Sequence, residues 1–92
     1  MRNKAQRIHF TSVARQDLKY WESSNPKIMR KIEELIQSAL IDPTKGIGHP
    51  ERLIGQLSGS WSRRITAKDR LVYKVEGETL VITQARFHYD RD

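Results

Sequence analysis

A chain of 92 residues, 37% hydrophobic and 30% charged, is expected to form a single globular domain spanning residues 1–92. Its net charge of +6 and pI near 10.0 fit either a solvated basic face or the footprint of a polyanionic partner, nucleic acid or an acidic protein. No cysteine is present, which excludes disulfides and thiolate metal sites, and three scattered histidines lack ligand spacing, so neither metal nor cofactor is expected. No apolar run nears the ~18 residues of a membrane span, and the start has no signal-peptide core, so no membrane contact and a cytoplasmic location are expected.

Residues 1–5 read as a short basic tail. Residues 6–10 alternate polar and apolar, which predicts a first strand with Ile8 and Phe10 inward. Thr11 or Ser12 can cap a helix running to about residue 23, with Val13, Ala14, Leu18 and Trp21 on its apolar side. Asn25-Pro26 reads as an N-cap followed by proline at the first helical position, where the missing N–H costs nothing. The second helix spans 26–41, with Ile28, Ile32, Leu35, Ile36 and Leu40 as its buried stripe, and Asp42-Pro43 ends it.

Residues 44–50 form a loop whose two glycines are a weak phosphate-cradle signal. No Gly-Lys-Ser/Thr follows, so a P-loop is rejected. Four strands are expected after it, at 52–57, 61–66, 70–76 and 79–88, with Glu76-Gly77-Glu78 as a tight hairpin loop. The order β-α-α-β-β-β-β predicts an α+β fold, two N-terminal helices packed on one face of a mainly antiparallel sheet.

Register turns this outline into a site. A Thr66-Ala67-Lys68 connection sets Arg64 opposite Arg70, and a three-residue Glu76-Gly77-Glu78 loop sets Val75 opposite Thr79. The helix-facing side then carries Trp61, Ile65, Leu71, Tyr73, Val75, Val81, Ala85 and Phe87. The other side carries Arg64, Arg70, Lys74, Gln84, Arg86 and His88, with Val72, Leu80 and Ile82 as exposed apolar residues that a partner's extended segment covers. From His49 to Lys74 six basic residues (Arg52, Arg63, Arg64, Lys68, Arg70, Lys74) face only Glu51 and Asp69. Adjacent strand residues point to opposite faces, so only one of Arg63 and Arg64 reaches this site.

Phosphodiester cleavage by the substrate's own 2′-hydroxyl needs a base, an acid for the leaving oxygen and cations for the charge on phosphorus. Histidine titrates near neutral pH, which suits His88 to the acid; arginines bind phosphate oxygens in pairs, which suits Arg64 and Arg70 to the charge; Glu51 is the candidate base. A non-catalytic basic module that docks RNA, ribosome or operator DNA uses the same charges and needs neither Glu51 nor His88.

The segments Pro50-Glu51, Leu57-Ser58-Gly59-Ser60-Trp61-Ser62-Arg63-Arg64-Ile65, Arg70-Leu71-Val72-Tyr73 and Arg86-Phe87-His88-Tyr89 closely resemble the YoeB/Txe toxins, RelE-like ribonucleases of bacterial toxin–antitoxin modules. The likeness covers about residues 8–89 and includes Tyr20-Trp21 and Lys31-Ile32-Glu33-Glu34-Leu35-Ile36. It implies a small RelE-like fold and a metal-independent endoribonuclease that cleaves mRNA in the A site of the 70S ribosome. Its products carry 2′,3′-cyclic phosphate and 5′-hydroxyl ends. By position it makes Glu51 the base, Arg64 and Arg70 the phosphate-stabilising cations, His88 the acid and Tyr89 the terminal tyrosine. Arg52, Arg63, Lys68, Lys74 and Arg86 are the expected RNA-binding cations. It further implies a YefM-type antitoxin, operator DNA bound only through the toxin–antitoxin complex, and a homodimer. Two departures stand out: Ile54 occupies a position that is commonly lysine in the family, and Asp90-Arg91-Asp92 extends past the usual terminal tyrosine.

Overall fold

The computed structural model describes residues 6–88. Strand β1 (Arg7–Phe10) leads into helix α1 (Ser12–Ser24), helix α2 (Pro26–Ile41), strand β2 (Glu51–Arg52), a 3-10 turn at Gly55–Leu57, and strands β3 (Trp61–Arg64), β4 (Arg70–Glu76) and β5 (Thr79–Gln84). The five strands form one sheet in the order β1-β5-β4-β3-β2, antiparallel except that β1 runs parallel to β5.

Local chemistry sets the helix ends. The Thr11 side chain accepts the Ala14 N–H and the Asn25 side chain accepts the Ile28 N–H, with Pro26 opening α2. Ala14 and Trp21 from α1, and Ile32, Leu35, Ile36 and Ala39 from α2, are buried against Ile65, Leu71, Tyr73, Leu80, Ile82 and Ala85 of the sheet side. This is an α+β sandwich of two helices on one sheet face. Fully burying each leucine or isoleucine of this core contributes roughly 1.5–3 kcal/mol.

Several expected boundaries shift. The strand expected at 52–57 shortens to Glu51–Arg52, because residues 55–57 turn into a 3-10 helix with Gly55 at φ 73°. The strand expected at 79–88 ends at Gln84. Ile8 and Val13 are exposed rather than inward, at 38% and 42%. The hairpin uses two residues, Gly77 and Glu78, so Glu76 faces Thr79 and Val75 faces Leu80.

That one-residue change reverses the faces of β5 near the hairpin. Leu80 and Ile82, expected on the basic face, are fully buried under the helices, while Val81 pairs with Lys74 on the other side. Val72 is also buried, so Val72, Leu80 and Ile82 present no exposed apolar strip to a partner. A bulge then restores the expected faces. Tyr73 pairs with Ile82 but Val72 with Gln84, leaving Thr83 as the extra residue. The Thr83 hydroxyl donates to the Val72 carbonyl, and the Thr11 hydroxyl donates to the Thr83 carbonyl. Ala85 accordingly returns to the core and Gln84 to the open face.

Candidate active site

Ladder register assembles the open face. Glu51 opposes Ser62, Ser62 opposes Val72, and Val72 opposes Gln84, making one row across four strands. Arg64 and Arg70 oppose each other in the next row of the same face, two residues or about 7 Å further along. Glu51 is exposed at the edge, Arg64 is exposed and Arg70 is half-buried. Like charges set directly opposite are destabilising, so this pair carries a cost that a bound anion removes.

The two arginines are held differently. The Arg70 Nη1 donates to the carbonyls of Thr66, Ala67 and Asp69 at 3.0, 3.3 and 3.1 Å, which fastens its guanidinium to the β3–β4 turn. Among the described residues the Arg64 guanidinium has no hydrogen-bond or ion-pair partner; only its backbone N–H is engaged, by the Gly48 carbonyl at 2.8 Å. One cation is preset and the other can adjust to a ligand.

His88 follows a turn rather than a strand. The Phe87 N–H donates to Asp69 Oδ1 at 2.8 Å, and the Phe87 carbonyl accepts the Arg70 N–H at 2.9 Å. The Gln84 Nε2 reaches the carbonyls of Arg86, Phe87 and His88 at 2.8, 3.1 and 2.8 Å. Phe87 sits in the left-handed region at φ 64°, uncommon outside glycine, and this turn is what holds it there. The backbone leading into His88 is therefore anchored to the start of β4, where Arg70 stands. Helix α1 braces the same segment: Asp17 Oδ2 accepts the Ala85 N–H at 2.9 Å, and the Trp21 indole donates to the Ala85 carbonyl at 2.7 Å.

The other expected cations scatter. Arg63 is fully buried, and each of its five N–H groups has a partner: Tyr73 Oη, Ser38 Oγ and the carbonyls of Ile47, Asp42 and Lys45, at 2.7–3.0 Å. It is a structural cation that staples the 42–47 loop to the sheet, and the RNA-binding role expected for it is withdrawn. Arg86 lies with its guanidinium over the Tyr20 ring at 3.4 Å and the Phe87 ring at 4.4 Å, on the α1 side rather than on the open face. Phe87, expected inward, is 44% exposed. Arg52 opposes Trp61 and lies 5.8 Å from its ring, on the parity opposite to Arg64. Lys74 shares the Arg64/Arg70 face but pairs with Glu76 at 3.0 Å, and Lys68 is exposed in the β3–β4 turn. Tyr89 and the 90–92 extension lie outside the described residues.

The glycine loop is not a phosphate cradle. A Cβ on Gly48, at φ 84°, would sit 2.6 Å from the Leu35 side chain and 3.2 Å from the Arg63 Cβ, so its glycine permits close packing against α2 and β3. Two groups here depart from ordinary titration. Hydrogen bonds from the Thr44 N–H and hydroxyl hold the Asp42 carboxyl below the usual range, with Lys45 and Arg63 helping. Burial raises the Tyr73 phenol, against the opposing effect of Arg63. Among the described residues no three His, Asp or Glu side chains gather where they could hold a metal ion, and no helix is long and apolar enough to cross a membrane.

Sequence reasoning passed over Asp17, Asp69 and Gln84. The Thr66-x-x-Asp69 spacing was a usable sign for Asp69, because such side chains close turns on their own backbone. Nothing local marks Asp17, whose partner is 68 residues away. Gln84 is expected on the open face, but its grip on the carbonyls two to four residues further on depends on the turn that ends β5.

Residues 10–89 match the family of YoeB-like toxins of bacterial type II toxin–antitoxin systems. Toxin YoeB of Streptomyces coelicolor is 51% identical over 83 residues, covering 90% of this chain and 99% of that protein. Among solved structures, a YoeB/ParE toxin from Agrobacterium tumefaciens superposes with a TM-score of 0.87 at 38% identity, covering 91% of this chain and all of that one. The Staphylococcus aureus toxin superposes at 0.83, both in a YoeB–YefM complex (39% identity; 92% of this chain, 100% of that) and as a YoeB dimer (38%; 90% and 97%).

Proposed function

Since this chain belongs to the YoeB-like toxins of bacterial type II toxin–antitoxin systems, we propose that it is an endoribonuclease acting on mRNA in the ribosomal A site. The observation that carries this reading is the opposed Arg64–Arg70 pair, one row from Glu51 and tied through Phe87 to His88. Glu51 takes the proton of the 2′-hydroxyl as that oxygen attacks phosphorus. Arg64 and Arg70 hold the charge that builds on the non-bridging oxygens, and the P–O5′ bond breaks as His88 delivers its proton to the departing oxygen. The products are a 2′,3′-cyclic phosphate and a 5′-hydroxyl, and no step calls on a metal. The A-site setting and the role of Tyr89 come from the family resemblance. Lys68 and Lys74 flank the site and add phosphate attraction.

The S. aureus complex and dimer support the further expectation of a YefM-type antitoxin and a toxin homodimer for this chain. Action in the cytoplasm, and operator DNA bound by the toxin–antitoxin complex, rest on the family resemblance alone. His88→Gln is expected to slow mRNA cleavage on translating ribosomes at least ~100-fold while preserving the fold. The wild-type products should carry 5′-hydroxyl ends, and stripping the toxin with EDTA, removed before ribosomes are added, should leave the rate unchanged. Ends bearing 5′-phosphate overturn the mechanism. Salt-dependent RNA binding without any cleavage on translating ribosomes makes the chain a binding module instead.

A further inference from the structure

The acid proposed for cleavage sits on a turn with no regular structure, yet acid catalysis demands that a proton donor stay within hydrogen-bond reach of the leaving oxygen. Two side chains outside the proposed chemistry meet that demand. Asp69, 9% exposed, uses both carboxylate oxygens: Oδ1 accepts the Phe87 N–H at 2.8 Å and Oδ2 accepts the Thr66 hydroxyl at 2.7 Å. The Thr66 oxygen in turn accepts the N–H groups of Lys68 and Asp69, at 3.2 and 3.0 Å. Its lone pairs are thus occupied, and its proton must point to Asp69. Gln84 grips the other side of the turn through the three carbonyls of residues 86–88.

We infer that Asp69 and Gln84 are positioning residues for His88: Asp69 fastens the turn that carries His88 to the turn that carries Arg70, so that acid and cation share one frame. This inference rests on the proposed role of His88. Asp69 connects the two at a single carboxylate. The Arg70 guanidinium is hooked on the carbonyls of Thr66, Ala67 and Asp69, while Phe87, next to His88, is held by the Asp69 side chain and the Arg70 N–H. A carboxylate is required here rather than an amide. Both neighbours of the Asp69 oxygens are donors, so an asparagine must set its NH2 against either the Phe87 N–H or the Thr66 hydroxyl. The reverse holds for Gln84, whose NH2 faces only carbonyls, so a glutamate there sets an acceptor against acceptors.

The isosteric variants Asp69→Asn and Gln84→Glu therefore test the idea with little change in volume. On translating ribosomes, single-turnover cleavage by Asp69→Asn should fall about 30–100-fold, the scale of an ångström-sized misplacement of a catalytic group, with KM within about threefold of wild type. Built into His88→Gln, the same change should lower the residual rate less than about threefold, because the group it positions is already gone. Cleavage by Asp69→Asn within threefold of wild type overturns the inference. So does an equal fold-loss in the wild-type and His88→Gln backgrounds, which marks a general structural effect. If Asp69→Asn does not fold, Gln84→Glu is read by the same two criteria. Failure of the underlying chemistry looks different: His88→Gln then cleaves like the wild type whatever stands at position 69.

Discussion

Arg63 and Arg64 are neighbours on one strand with opposite fates. Arg63 points into the helix side, fully buried, with all five N–H groups bound to Tyr73, Ser38 and three loop carbonyls. Arg64 lies exposed opposite Arg70, and among the described residues only its backbone is engaged. The pleat alone separates them, since successive strand residues alternate faces. A cation costs free energy to bury unless every donor is matched, so Arg63 serves the fold; Arg64, left in water opposite another cation, keeps its donors for the phosphate proposed above.

The comparison breaks most sharply at Arg63. Arg63→Ala strips donors from the Asp42, Lys45 and Ile47 carbonyls and from Ser38 and Tyr73. It should cost ~3–5 kcal/mol in denaturant unfolding. Arg64→Ala should instead leave stability within ~0.5 kcal/mol of wild type and slow mRNA cleavage at least ~100-fold in the ribosome assay. If the two variants exchange these phenotypes, the assignment of faces is wrong.

The smallest effect sharpens the buried side. Tyr73 donates to the Pro43 carbonyl and accepts from Arg63, and burial raises its phenol above the ordinary value of 10.0. Tyr73→Phe should cost about 1–2 kcal/mol at neutral pH, where the phenol is protonated in both native and unfolded chains. Above the ordinary value the unfolded chain releases that proton while the native protein keeps it. Wild-type stability therefore falls as pH rises toward the raised native value, and Tyr73→Phe lacks this component. The stability gap between the two should narrow in alkaline unfolding experiments; a constant gap argues against a buried, neutral phenol.

Much of the architecture was legible in residue patterns because its causes are local. Helix α2 declared itself through Asn25-Pro26 at one end, Asp42-Pro43 at the other and an apolar stripe at helical spacing between them. The Arg64–Arg70 pairing followed from the length of the Thr66-Ala67-Lys68 connection. The faces of β5 were not legible in the same way. A two-residue hairpin moved Leu80 and Ile82 into the core, and the unsignalled bulge at Thr83 moved Gln84 back out.

By itself, then, the amino-acid order determined which residue types were available, where helices begin and end, and the alternation that sets Arg63 against Arg64. Tertiary structure alone decided which arginine is spent on the loop, how Arg86 turns to Tyr20, and how Asp69 and Gln84 hold the turn before His88. The physical reason is range. Periodicity and capping act over a few residues, whereas a bulge, a buried guanidinium and a side chain gripping a distant backbone are settled only when remote segments compete for the same hydrogen bonds.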